Sequence, residues 1–387
     1  MLGHRPHFIT ALANDRLGAF ALQDFDAYEF HKSQLHIAWP RRNGTQSTWR
    51  PNEASAAAAA ATCAYTGRGQ SSQCELADDQ STSCFALVLV DSLTGQCEYV
   101  IANLDTVLAI DSKTIHQHHN LIAKAPLVVT DANLACDSLV SLIELCHTHK
   151  RHLFIEPTDV MALPHLVEAL NQIDLQQPQS MGAIVCLTPN LVELNEMLQM
   201  FCRLKRNCIA GIDSELSIDK RDGSNGSANS SCTCATSFAA QSKVDQAKRA
   251  AETLLIGHLR HVRSLLVTMD KDGVLFAVRS RTGTDLFDAN EFNLLSDNFG
   301  TVSTSSEPSH ETDEQNGNIV FEHFPAPKVI DRPVSGSGAG DSFAAGFISG
   351  LLHNQPVAKC IAKGFEASMI ALQAKDPIPI DLRKLAN

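Results

Sequence analysis

A carboxylate follows directly on two glycines at Gly338-Ala339-Gly340-Asp341, and an apolar helical pattern begins at once. Phe343, Phe347, Ile348 and Leu351 recur at the spacing of one helix face. The glycines therefore belong at a helix N-terminus, where free backbone N–H groups and the helix dipole favour an anion. Asp341 adds a negative charge where a phosphate would dock. One chemical reason for that pairing is a base that takes a proton from a hydroxyl while the amides hold the phosphate it attacks. The alternative is a Gly-rich turn with an N-capping Asp.

A second pair is Asn190 and Glu193, three residues apart after Thr188-Pro189. They would project from one helix turn at the C-terminal end of a strand, where open α/β sheets bind ligands. Taken alone, the pair reads as a capped helix with a solvated Glu.

The elements that must position these residues are legible in part. Phe8–Leu12 reads as a strand followed by a helix from about Ala19. Phe85–Asp91 and Cys97–Ile101 pair as a hairpin across Ser92-Leu-Thr-Gly95. Strands at Leu127–Thr130, His152–Ile155, Ala183–Leu187 and Ser264–Met269 alternate with helices at Leu139–His147, Leu163–Gln172, Leu191–Met200 and Ala247–Leu259. Gly273–Val278 and Ile319–Phe324 read as antiparallel strands, and Ala358–Ala374 as the last helix. This order predicts an α/β fold: a doubly wound, mostly parallel sheet with helices on both faces and an antiparallel extension. Three stretches, 41–83, 205–242 and 281–317, turn to Ser, Thr, Asn, Gln and Gly, and read as disordered inserts in a single domain spanning 1–387.

Composition excludes several classes. The chain has 387 residues, 44% of them hydrophobic, enough for a large core. A formal net charge of −12 without a Lys/Arg stripe argues against nucleic acid. No apolar run is long enough to cross a bilayer, and the N-terminus has no apolar signal core, so the chain reads as cytoplasmic. The twelve cysteines lack the paired spacing of a zinc site.

Gly338-Ala-Gly-Asp341-Ser-Phe-Ala-Ala-Gly-Phe347 resembles the C-terminal motif of the ribokinase-like (PfkB-type) sugar and nucleoside kinases. The resemblance implies that Asp341 is the catalytic base and that the amides of Gly338, Ala339 and Gly340 form an anion hole. It implies ATP and Mg²⁺ as cofactors, with Asn190 and Glu193 in the outer shell of the ion. It also implies a small β lid over the substrate, placed at the hairpin of about 85–101. Val267-Thr268-Met-Asp270-Lys-Asp-Gly273 resembles the strand and turn beside the nucleotide, with Asp270 where the family usually has Gly. Thr268 and Gly273 are thereby nucleotide-binding candidates, and the last helix would pack on the adenine side.

Phe154-Ile-Glu156-Pro-Thr-Asp159, Thr130-Asp131-Ala-Asn133 and Glu98-Tyr-Val-Ile-Ala-Asn103-Leu-Asp105 resemble segments of pseudouridine kinases within that superfamily. They imply a nucleoside-like substrate, pseudouridine first, held by Asn103, Asp105, Asp131 and Glu156. Ribokinase-, fructokinase- or adenosine kinase-like activity and a catalytically inactive nucleotide-binding protein are the alternatives. The resemblance covers about Phe8 to Lys375, and the family's first strand and Gly-Gly segment have no counterpart. That predicts an N-terminally incomplete kinase domain, with fusion to a pseudouridine-5′-phosphate glycosidase domain as one full-length form. A homodimer is left open. Ser335 stands where many members carry an Asp that helps bind a monovalent cation, so K⁺ activation is not expected.

Overall fold

The computed structural model describes residues 2–13, 15–27, 34–38, 82–95, 97–176, 184–215, 242–279, 289–290, 292–295 and 319–385. The first third holds β1 (Phe8–Ala11), α1 (Arg16–Ala27), β2 (Leu35–Ala38), β3 (Phe85–Val90), β4 (Cys97–Asn103), α2 (Ser112–Gln117) and α3 (His119–Lys124). A βα series follows: β5 (Leu127–Asp131), α4 (Cys136–Thr148), β6 (His152–Glu156), α5 (Leu163–Gln176), β7 (Ile184–Leu187), α6 (Leu191–Glu215), α7 (Lys243–Gly257) and β8 (Ser264–Thr268). Strands β9 (Val274–Arg279) and β10 (Ile319–Phe324) and helices α8 (Ala339–Leu352) and α9 (Val357–Leu372) complete it.

The main sheet has six strands in the order β10-β9-β8-β7-β6-β5. β5 to β8 run parallel, and β9 and β10 extend the sheet antiparallel. The hairpin β3–β4 and the parallel pair β1–β2 form two small separate sheets. The expected doubly wound α/β architecture with a small β lid is therefore what the chain adopts.

Strand side chains alternate between two cores, as period-two geometry requires of a sheet covered on both faces. On β6, Leu153 and Ile155 enter the core beneath α4 to α7, and Phe154 enters the opposite one. On β8, Leu265 and Val267 face the first core and Leu266 the second. The second core is closed by α8 and α9 through Phe343, Phe347, Leu351, Val357 and Ile361. These two helices come close because glycines line their seam. A Cβ at Gly346 would lie 2.6 Å from the Lys363 carbonyl, and one at Gly364 would lie 2.9 Å from the Phe343 ring. At Gly350 it would meet Cys360 Sγ at 2.8 Å.

Two polar stretches differ from expectation. The second does not begin at Lys205, because α6 continues to Glu215. Lys, Arg and Ala in that segment are good helix formers, so polar composition alone did not end the helix. Within the third, Ala289 and Leu294 are buried, and the Ala289 and Phe292 carbonyls accept the N–H groups of Ala358 and Val357. This piece plugs the start of α9. The remainder of the three stretches falls mostly outside the described residues. Among the described residues, no helix is long and apolar enough to cross a membrane.

His258, the C-cap of α7, is buried and stacks on Phe201 with centroids 4.9 Å apart. Burial, then the Lys205 charge, pushes its pKa down to about 4. The folded state thus binds fewer protons than the unfolded chain between about pH 6.5 and 4, and stability falls as pH drops through that window. His258→Phe is expected to narrow the difference in urea midpoint between pH 7 and pH 4.5. An unchanged difference would contradict this account.

Candidate active site

The C-terminal ends of β5 to β8 present Asp131, Glu156, Thr188 and Thr268 along one edge of the sheet. A cavity of about 190 Å³ opens there, lined among others by Glu156, Thr188, Glu193, Thr268, Gly340 and Asp341. The segment that follows β7 and the first turn of α6 line it, together with the first turn of α8.

Asn190 and Glu193 fold as a reciprocal cap on α6. Asn190 Oδ1 accepts the N–H groups of Val192 and Glu193 at 2.9 Å each, and the Asn190 N–H donates to Glu193 Oε2 at 2.9 Å. This is a capping box with Asn in the leading position. The structural and chemical readings of this pair coincide: the cap locks Glu193, buried at 4% exposure, against the cavity. The Glu193 carboxylate, which lines the cavity, keeps lone pairs to accept from a ligand's water.

At α8, Gly338 is the N-cap in left-handed conformation (φ +76°), and its carbonyl accepts the Ser342 N–H at 2.9 Å. The Ala339 N–H reaches Gly336 O only at a stretched 3.4 Å. Among the described residues, the N–H groups of Gly340 and Asp341 have no protein acceptor. A Cβ at Gly340 would meet nothing within 4 Å, so open space lies over these amides. The Asp341 N–H thus joins the amide set, a donor that the motif reading passed over.

The electrostatics are one-sided. Among the described residues, three carboxyl groups, Glu156, Glu193 and Asp341, line the cavity, and no Lys or Arg does. Burial, moderated by a hydrogen bond from Thr188 Oγ1 and reinforced by the Glu193 and Asp341 charges, pushes Glu156 up to about 8. Burial also raises Glu193, with the Asn190 N–H opposing and Asp159 and Asp341 adding. Asp341 is reachable from solvent through the cavity mouth, yet the surrounding protein, then the Asp131 charge, raises it as well.

Carboxylates and the hydroxyls of Thr188 and Thr268 are hard oxygen donors, which fit Mg²⁺. Among the described residues no three His, Cys, Asp or Glu groups stand close enough to chelate a metal by themselves. The residues therefore fit an ion held largely by water and phosphate oxygens.

Glu156 yields a pH test that needs no activity. Its folded pKa lies above the unfolded value of 4.5, so the folded state binds the extra proton and stability falls as pH rises from about 4.5 to 8. This slope opposes that of His258. Glu156→Gln is expected to flatten it, giving a higher urea midpoint at pH 8 than the unmutated chain in metal-free buffer. Equal midpoints at pH 8 would show that Glu156 is not held protonated.

The remaining candidates are dispersed. Asp131 lies outside the cavity lining but close enough to act on Asp341. Its own Oδ1 accepts the Asn133 N–H at 2.9 Å. Asn103 closes β4, and its Oδ1 accepts the Asp105 N–H at 3.1 Å, so these two form one turn at the hairpin base. Glu156 sits with Thr188 and Glu193 rather than with Asn103 and Asp105. Thr268 lines the cavity. Gly273 does not, and its backbone is pressed on the Phe324 carbonyl, 2.1 Å from where a Cβ would lie. Asp270 points to solvent and pairs with Lys243 Nζ at 3.6 Å.

Comparison with known proteins bears on this geometry. Residues 315–383, from just before β10 to beyond α9, match the pfkB family carbohydrate kinase pattern. No curated protein resembles the chain closely enough in sequence to match it. In structure it is similar to the adenosine kinase from Sinorhizobium meliloti, with a TM-score of 0.56 at 14% identity, covering 100% of this chain and 78% of that one. It is also similar to Anopheles gambiae adenosine kinase in complex with P1,P4-di(adenosine-5) tetraphosphate (TM-score 0.53, 13% identity, 97% and 76% covered). The ribokinase from Giardia lamblia gives a TM-score of 0.52 at 12% identity, with 98% and 80% covered. At such identities the likeness shows the fold, which is ribokinase-like. The chain thus has a ribokinase-like fold and a C-terminal segment that matches the pfkB carbohydrate kinase pattern.

Proposed function

We propose that this kinase is cytoplasmic and transfers the γ-phosphoryl group of ATP to a primary hydroxyl of a sugar or nucleoside, with Mg²⁺ as cofactor. The observation that carries the reading is the junction at α8. There a base candidate, Asp341, adjoins unpaired amides and a cavity that the carboxyl groups of Glu156 and Glu193 also line.

Asp341 takes the proton of the attacking hydroxyl, and its raised pKa brings it closer to that task than an ordinary carboxylate. A bond forms between that oxygen and phosphorus, and the bond to the β-phosphate oxygen breaks with its electron pair leaving on ADP. The amides of Gly338, Gly340 and Asp341, with Ala339 once it lets go of Gly336, hold the equatorial oxygens. Mg²⁺, when bound, neutralises charge on the phosphates; Asn190, Glu193 and the ionised form of Glu156 would hold its waters. Thr268 is placed to meet the nucleotide, with Gly273 shaping the turn behind it. Positioning and charge stabilisation are most of what phosphoryl transfer requires.

For the acceptor, we propose pseudouridine, with Asn103 and Asp105 at its polar edge and Asp131 near the ribose. Support comes from the order of Glu98–Asp105, Thr130–Asn133 and Phe154–Asp159 along the chain. Adenosine or a free sugar fits the fold and the matched segment equally. The deciding experiment is an assay with ATP and Mg²⁺ offering pseudouridine, uridine, adenosine, ribose and fructose in parallel, with products read by mass. Pseudouridine 5′-phosphate is expected. A product from another acceptor reassigns the substrate, and folded protein that phosphorylates none of them overturns the kinase reading.

A further inference from the structure

Loop 333–338, which leads into the first turn of α8, is gripped by backbone on two sides. On one side Gly338 lies against the C-terminal segment, where a Cβ would come within 2.4 Å of the Pro377 carbonyl. On the other side stands the turn of the β3–β4 hairpin. Gly95, buried and at φ +70°, presents its carbonyl to the Gly336 N–H at 2.8 Å. A Cβ on Gly95 would lie 2.4 Å from the Pro333 carbonyl, so no other residue fits without displacing the loop.

The turn itself is stiff. The Asp91 carboxylate accepts the Leu93 N–H and the Thr94 hydroxyl at 2.8 Å each, and the Asp91 carbonyl accepts the Gly95 N–H at 2.8 Å. The strands behind it are not buried by the main sheet: Leu87 and Ile101 are 54% and 56% exposed on one face, and Val100 is 51% exposed on the other. A two-stranded hairpin holds poorly alone, so its end contacts decide where it sits. Its base carries Asn103 and Asp105 and its tip rests on the loop before the α8 amides.

We propose that Gly95 is a positioning residue for phosphoryl transfer: its carbonyl bond to the Gly336 N–H fixes the loop that sets the α8 amides, so movement of the hairpin is felt at the anion hole. The kinetic half rests on the kinase reading above, and the structural half does not.

The test compares Gly95→Val with Leu93→Ser, whose side chain in the same turn is 82% exposed. Amide hydrogen exchange over 334–342 is read in the full chain, beside kcat and the stoichiometry and affinity of Mg·ATP binding. Gly95→Val is expected to speed exchange at 334–342 but not in α9, and to lower kcat by roughly 10²-fold with nucleotide binding unchanged. Leu93→Ser should match the unmutated chain throughout. A merely structural role would lower the fraction of protein that binds nucleotide and leave the kcat of the rest alone. Unchanged exchange at 334–342 in Gly95→Val, or unchanged kcat in an active enzyme, overturns the proposal. If Gly95→Val does not fold, exchange in the unmutated chain decides: the Gly336 amide must be protected, and exchange at the unstructured rate overturns the latch. If the unmutated chain transfers no phosphoryl group, the kinase reading fails, and the exchange comparison still judges the latch.

Discussion

Asp341→Asn is expected to cut kcat by about 10²–10⁴-fold, the usual contribution of a positioned general base. The substitution keeps the shape of the side chain and removes only its capacity to take a proton. No hydrogen bond of the fold is recorded from this carboxylate among the described residues, so nothing structural depends on it. Its raised pKa states that the ionised form is disfavoured in the folded protein. The neutral amide relieves that cost, and the thermal midpoint near pH 8 should match or exceed that of the unmutated chain. The same shift predicts loss of kcat on acidification, as the base becomes protonated. Activity gone with stability kept marks a residue of the chemistry. An Asp341→Asn protein with near-normal turnover would remove Asp341 from the mechanism.

Gly338→Val should cost about 10²–10³-fold in kcat, the order found on losing an anion-hole donor, and should weaken Mg·ATP binding too. Two independent constraints fall on this position. Its left-handed backbone costs an L residue about 1–2 kcal/mol, and the added Cβ would meet the Pro377 carbonyl. Relief requires the α8 N-terminus to shift, which moves the amides of Gly340 and Asp341. Gly340→Ala is the contrast. Its methyl group meets no protein atom, so folding should be normal and any effect confined to what enters the cavity. Gly338→Val with unaltered turnover and nucleotide affinity would show that the α8 amides do not hold phosphate.

What the sequence discloses here is local and periodic. β6 and β8 were legible as short continuous apolar runs, the mark of strands buried on both faces, and α8 because its apolar residues repeat at helical spacing. The Asn190–Glu193 cap was legible as spacing, since a capping box is a three-residue affair. β2 was missed: Leu35–Ala38 is only four residues long and half-buried throughout, too short for its pattern to register. The short helices α2 and α3 are polar and histidine-rich, with little apolar stripe to betray them. Glu156 against Thr188 and Gly95 against Gly336 are contacts across long stretches of chain, which no window can register. The buried Leu294 was hidden in a stretch whose overall composition is polar.

The seam between α8 and α9 changes how losses of function in this protein should be attributed. Gly346 belongs to the same ten-residue motif as Asp341, yet it faces Lys363 of the neighbouring helix and never the cavity. In a saturation mutagenesis scan, Gly346, Gly350 and Gly364 would score as intolerant as Asp341, because any side chain there wedges the two helices apart and carries Asp341 with it. Intolerance along this stretch therefore mixes two selections, one for chemistry and one for the spacing of two backbones. Only a separate readout of abundance tells them apart: the seam variants would be scarce in the cell, and the Asp341 variants plentiful and silent.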